Sequence, residues 1–118
     1  MELRIRLVQN NIVVLGPGRA DLLQHIAATG SIAAAGRQMG MSYKRAWALV
    51  EIMNQLFTTP LVEASKGGPG GGGARLTVTG TTILAAYRDM EAAARAASGP
   101  AIAAITAALP VPPNPNKV

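Results

Sequence analysis

Residues 30–48 read Gly30-Ser31-Ile32-Ala33-Ala34-Ala35-Gly36-Arg37-Gln38-Met39-Gly40-Met41-Ser42-Tyr43-Lys44-Arg45-Ala46-Trp47-Ala48, and this stretch decides the fold. Gly30 is placed to cap the end of one helix. Ser31 can N-cap a second helix over Ile32 to Met39, and Gly40 can end it. Ser42 can N-cap a third helix, from Tyr43 to about Phe57. Two capped helices joined by a turn of roughly three residues with a glycine in it have the spacing of a helix-turn-helix.

The third helix divides by angle. At about 100° per residue, Ala46, Val50, Met53 and Phe57 share one face, with Leu49 at its edge. That face is expected to pack on the two preceding helices. Lys44, Ala48, Glu51 and Gln55 lie opposite, and Tyr43 and Arg45 flank the first turn. A helix of this kind enters the major groove of DNA N-terminus first. Ser42, Tyr43, Lys44 and Arg45 would then meet base edges or phosphates, and small Ala48 would permit close approach. The free N–H groups near Ser42 also favour a phosphate. Lysine or arginine on guanine is the commonest specific contact. Trp47 sits between the faces, where packing is the stronger reading and stacking on DNA the weaker. For Tyr43 the two readings balance. Glu51 would repel phosphates, so deep contact is expected to end near Ala48. Ser31 and Arg37 of the second helix complete the candidate set on this side.

Working outward, Leu3, Ile5 and Leu7 alternate with Glu2, Arg4 and Arg6, which predicts a half-buried strand over residues 2–8. Asn10-Asn11 suits a tight turn and Ile12–Leu15 a returning strand. The first helix is expected from about Pro17 to Thr29, with Leu22, Leu23, Ile26 and Ala27 as its apolar stripe. Beyond the third helix, Leu61–Ala64 and Arg75–Val78 are strand candidates. They bracket a run whose glycines, Gly67 to Gly73, suit an exposed hairpin tip rather than core. Strand, glycine loop and strand after a helix-turn-helix make a wing, with Lys66 and Arg75 placed to reach phosphates. A Walker-type phosphate loop is excluded, because no Lys-Ser/Thr pair follows the glycines. Thr77 can N-cap a fourth helix to about Ala97, stopped by Ser98-Gly99-Pro100. Ala101–Leu109 is a candidate short helix, and Pro110–Val118 reads as a disordered tail.

The composition agrees. Apolar residues make up 49% but only 3% are aromatic, and alanine supplies much of the rest, which points to close-packed helices. A net charge of +5 favours anionic partners. There is no cysteine, so neither disulfides nor thiolate metal sites are available. His25 is the single histidine, read as structural or surface, and no triad, carboxylate pair or metal cluster appears. The expected class is mostly α with small β. Residues 1–97 form a winged helix-turn-helix with an N-terminal β-hairpin, a Gly-rich wing and a long C-terminal dimerisation helix. Residues 98–118 form a short Ala/Pro-rich extension. The expectation is a cytoplasmic, non-enzymatic protein with no cofactor, no metal and no membrane span.

Several stretches together resemble the DNA-binding domain of ModE-type molybdate-responsive regulators, whose winged helix is similar to that of LysR-type regulators. They are Leu22-Leu23-Gln24-His25-Ile26, Gly30-Ser31-Ile32, Met41 to Trp47, Met53-Asn54-Gln55-Leu56, Leu61-Val62-Glu63, Gly67 to Ala74, and Leu76-Thr77-x-x-Gly80. The resemblance covers about residues 2–97. It implies a sequence-specific regulator of transcription that binds double-stranded DNA as a homodimer. The implied dimer contacts are the N-terminal strands and first helix together with the long helix after the wing, where Tyr87 and Met90 are candidates. Full-length ModE proteins carry C-terminal molybdate-binding domains. The roughly twenty residues after the winged helix offer no place for that oxyanion site, so molybdate binding is not expected here. A protein-interaction module and a small oxyanion-sensing dimer stand as alternatives.

Overall fold

The computed structural model describes residues 1–65 and 73–111. Its element order is β1 (Leu7–Gln9), β2 (Ile12–Leu15), α1 (Pro17–Thr29), α2 (Ile32–Gln38), α3 (Tyr43–Leu56), β3 (Val62–Ala64), β4 (Ala74–Leu76), α4 (Val78–Ala97) and α5 (Gly99–Ala107). Helices dominate, with two separate antiparallel hairpins, β1–β2 and β3–β4. This is the winged helix-turn-helix layout that the capping pattern predicts.

The caps fall where the sequence places them. Ser31 accepts a hydrogen bond from the Ala34 N–H, Ser42 from Arg45 and Thr77 from Gly80. Gly30 and Gly40 take the left-handed conformation at φ 69°, which turns the chain sharply on either side of α2. Asn10 and Asn11 both have positive φ, as a two-residue hairpin turn of the I′ type requires. The first strand is shorter than the alternation of residues 2–8 suggests. Pairing begins only at Leu7, where the register is irregular, although Leu3 and Ile5 are half-buried as expected.

The core is one cluster. Leu22, Leu23 and Ile26 from α1 meet Ile32 and Ala35 of α2, Ala46, Val50 and Met53 of α3, and Leu61 and Val62 beyond it. Ala27 is exposed, so it does not belong to the α1 stripe; Ala20 fills that place instead. The α2–α3 elbow is tight: a Cβ added at Gly36 would lie 3.1 Å from the Ala46 Cβ. Small residues at both positions therefore let the helices approach.

Three devices tie the later elements to this core. The Asn54 side chain accepts from the Leu61 and Val62 N–H groups and donates to the Val62 carbonyl, which fixes the exit from α3 and the start of β3. Gly80 runs so close under Leu61 that an added Cβ would sit 2.1 Å from the Leu61 carbonyl oxygen. The Thr77 N–H donates to that same oxygen, and the Thr77 hydroxyl donates to the Pro60 carbonyl. Arg88 of α4 hydrogen-bonds Asp21 and Gln24 of α1 and Glu91 of its own helix. Burial works against the Arg88 charge, but the bonds to Asp21 and Glu91 outweigh it and raise its pKa.

Tyr87 corrects an expectation. It is 2% exposed, and its hydroxyl donates to the Ile5 carbonyl at 2.6 Å, so it fastens the N-terminal segment to α4 from inside the chain. Its side chain is not available to a dimer face. Burial, then the charge of Glu91, raises its pKa, with Arg88 acting in the opposite direction. Met90, the other candidate, is half-buried against the core. Ser98 does end α4, but α5 starts at once from Gly99. No residue of α5 is buried. The expected disorder of Pro110–Val118 falls mostly on residues 112–118, outside the described residues.

Candidate nucleic-acid interface

The first turn of α3 stands clear of the core. Ser42, Tyr43, Lys44 and Arg45 are all exposed, whereas Ala46, immediately after them, is fully buried. Ala48, Glu51 and Gln55 continue the outward line below Lys44, as the angular reading requires. The α3 N-terminal turn is held rigid by the Ser42 cap, whose oxygen accepts from the Arg45 N–H at 3.1 Å. Ser31 is committed in the same way at the start of α2, so both serines act first as caps.

Tyr43 and Trp47 form a pair one turn apart on the side of α3 that faces the wing. Their rings meet edge to face, with centroids 6.3 Å apart and planes at 86°. The Trp47 indole N–H donates to the Tyr43 hydroxyl oxygen. Trp47 is half-buried and Tyr43 is 56% exposed, so the first braces the second. Tyr43 thus presents an outward side chain, and Trp47 packs against the core beside it.

A cleft of about 300 Å³ separates this pair from the wing base, with Ser31, Ala64 and Gly73 on its walls. The base is pinned beside the α1–α2 turn: the Ala74 N–H donates to the Gly30 carbonyl, and Ser65 and Gly73 bond each other through backbone and hydroxyl. Thus Ser31, Tyr43 and Trp47 are brought together with the root of the wing. Arg75 stands opposite Glu63 in the ladder, with Nη2 3.4 Å from its carboxylate. Both side chains are largely exposed, so water and salt screen the pair and leave Arg75 able to turn to a phosphate. Sequence reasoning missed Glu63 as its partner, because the expected strand Arg75–Val78 is one residue late: the strand is Ala74–Leu76, Ala74 pairs with Ala64, and Val78 already belongs to α4. Lys66 lies outside the described residues. Arg37 is exposed in the last turn of α2 and lines neither this cleft nor the wing base.

His25 is hydrogen-bonded through Nδ1 to the Gln38 side chain at 2.6 Å, linking α1 to α2. Among the described residues no group of three or more His, Cys, Asp or Glu is arranged to hold a metal ion, and no helix is long and apolar enough to cross a membrane.

Residues 19–81, more than half of the chain, match the sequence model described as bacterial regulatory helix-turn-helix protein, lysR family. The chain belongs to the LysR family of bacterial regulatory helix-turn-helix proteins. This LysR-family chain is 50% identical over 78 residues to the molybdenum-pterin-binding protein MopB of Rhodobacter capsulatus, covering 66% of the chain and 29% of MopB. It is 48% identical over 71 residues to the DNA-binding transcriptional dual regulator ModE of Escherichia coli K12, covering 60% of the chain and 27% of ModE. The matched stretch thus spans under a third of the length of either relative. The fold of the LysR-family chain is shared with a solved structure described as the CbnR_DBD–DNA complex. The TM-score is 0.58 at 24% identity, covering 74% of this chain and 95% of that one.

Proposed function

We propose that this chain is a sequence-specific, double-stranded-DNA-binding regulator of transcription, acting in the cytoplasm as a homodimer and without catalytic activity. The observation that carries the reading is the outward first turn of α3, with Tyr43, Lys44 and Arg45 exposed on a capped, rigid helix whose next residue is buried. Lys44 points into the groove, Arg45 and Tyr43 reach its two edges, and the wing root with Arg75 follows the backbone. Ser31 and Ser42 hold the helix starts, and Trp47 braces Tyr43.

The homodimer is supported by apolar surface that the monomer leaves uncovered. Leu7, Val8 and Ile12 of the N-terminal hairpin are exposed, as are Ile105 and Leu109 at the C-terminal end. A twofold pair would present two α3 helices to half-sites one DNA turn apart, about 34–36 Å. The names of the relatives support genes of molybdenum metabolism as the regulated set.

The test is selection of bound fragments from genomic DNA, with and without molybdate, followed by gel shifts on the selected fragment. Wild-type protein is expected to retard it with an affinity that falls steeply with salt. Lys44→Ala and Arg45→Ala are expected to weaken binding. Equal binding by both variants would refute the proposed contacts. Equal recovery with and without molybdate would show that DNA binding does not depend on that anion.

A further inference from the structure

The flank of α3 that carries Arg45 is more than one edge of a recognition helix, because it joins a cleft that other elements also line. Tyr43 and Trp47 face the wing. Arg45 lies about 200° further round the helix than Tyr43, at about 100° per residue, on the opposite side. There it lines a second cleft, of about 440 Å³, between α3, the α1 N-terminal turn and the N-terminal segment. Four guanidinium groups line this cleft: Arg4, Arg6, Arg19 and Arg45, beside apolar Met41 and Leu49. No carboxylate is among its lining residues.

The arginines are not neutralised from nearby. Arg4 bonds Glu2 at 3.2 Å, but both side chains are about three-quarters exposed, 74% and 78%, so solvent screens the pair. Arg19 is anchored by donating to the Val13 and Val14 carbonyls, neutral partners that fix its position and leave its charge intact. Arg6 and Arg45 make no side-chain hydrogen bond or ion pair among the described residues. Four like charges around one cleft repel each other and raise the local potential for an anion.

We infer that this arginine-lined cleft is a second DNA-backbone site, which takes the phosphates on the strand that borders α3 away from the wing. The inference rests on the DNA-binding reading above. A helix in the major groove lies between two sugar–phosphate backbones. The wing root is placed for one of them. The cleft shared by Arg45 is placed for the other, and it extends the interface to residues 4–6, well outside the helix-turn-helix.

The experiment uses the full chain and the selected genomic fragment in two forms: unmodified, and with neutral methylphosphonate linkages along the backbone that borders α3 away from the wing. Arg6→Ala is the primary variant, because Arg6 is exposed and unbonded; Arg4→Ala/Arg6→Ala is the second. On the unmodified fragment the slope of log affinity against log salt is expected to flatten by about 0.9 for each arginine removed. On the neutral-backbone fragment both variants are expected to match wild type. Unchanged slopes on the unmodified fragment, with Lys44→Ala still impaired, would overturn the inference and leave the reading intact. Failure of the wild-type chain to bind any duplex would overturn both. A rise in Tm with millimolar phosphate or molybdate that vanishes in Arg6→Ala, with DNA slopes unchanged, would assign the cleft to a free oxyanion and overturn the duplex source. Loss of a co-purifying acidic protein in Arg6→Ala, with the same unchanged slopes, would assign it to a protein partner.

Discussion

The helix-turn-helix and the C-terminal arm are both alanine-rich and helical, yet they solve the burial problem differently. Helix α3 has 14 residues and fully buries Ala46, Val50 and Met53 within its own chain. Helix α4 is longer, with 20 residues, and buries only Gly80 and Tyr87. Helix α5 buries nothing, although Ile102 and Ile105 lie along it. The helix that presents Lys44 is seated in the one core cluster, which Leu61, Val62 and, from α4, Tyr87 help to close, whereas the arm ends in apolar surface. On the proposed reading, a recognition helix must be held rigidly whatever else is bound, and an arm that pairs two copies must keep surface free for its partner.

Four substitutions would sharpen or break that contrast. The largest effect is expected where α4 is clamped onto the core. In Gly80→Ala the new methyl group meets backbone that cannot swing aside, so a loss of about 3 kcal/mol is expected. Thermal unfolding would register this as a fall of roughly 12 °C or more. A neutral result would mean that α4 is only loosely joined there. Next comes Asn54→Ala, which leaves the Leu61 and Val62 N–H groups without their partner and costs about 2 kcal/mol in urea titrations. Wild-type stability in that variant would show that the exit from α3 is not fixed by this side chain.

Lys44→Ala is expected to leave the unfolding temperature unchanged while weakening specific DNA binding by about 1–3 kcal/mol, roughly 5- to 150-fold, in fluorescence anisotropy. A stability change without an affinity change would reverse its assignment. The smallest effect is expected in the arm. Ile105→Lys should alter the stability of dilute protein by less than about 0.5 kcal/mol, because Ile105 is 57% exposed. In sedimentation the same variant should weaken self-association. A marked fall in Tm at monomeric concentrations would show that α5 packs on its own chain, and the contrast between the two regions would fail.

Most of the helical framework was legible in the residues. Ser31, Ser42 and Thr77 cap where they stand, Gly30 and Gly40 turn the chain, and the outward line of Lys44, Ala48, Glu51 and Gln55 follows from helical angle alone. Such signals are local: a cap or a face is set within one or two turns of chain. The misreadings lie where distant elements compete for a surface. Ala27 looks like core by spacing, yet Ala20 takes the buried place. The family resemblance makes Tyr87 a candidate dimer contact, yet the Ile5 carbonyl draws it inside.

The sequence by itself thus determined which elements form, where they start and stop, and which turn of α3 points away from its own core, because hydrogen-bond capping and amphipathic period are properties of neighbouring residues. Only the tertiary structure decided that Gly80 must be glycine beneath Leu61, that Asn54 staples the start of the wing, and that Arg4, Arg6, Arg19 and Arg45 share one cleft. Those relations join residues far apart in the chain, and packing, not periodicity, brings them within reach of each other.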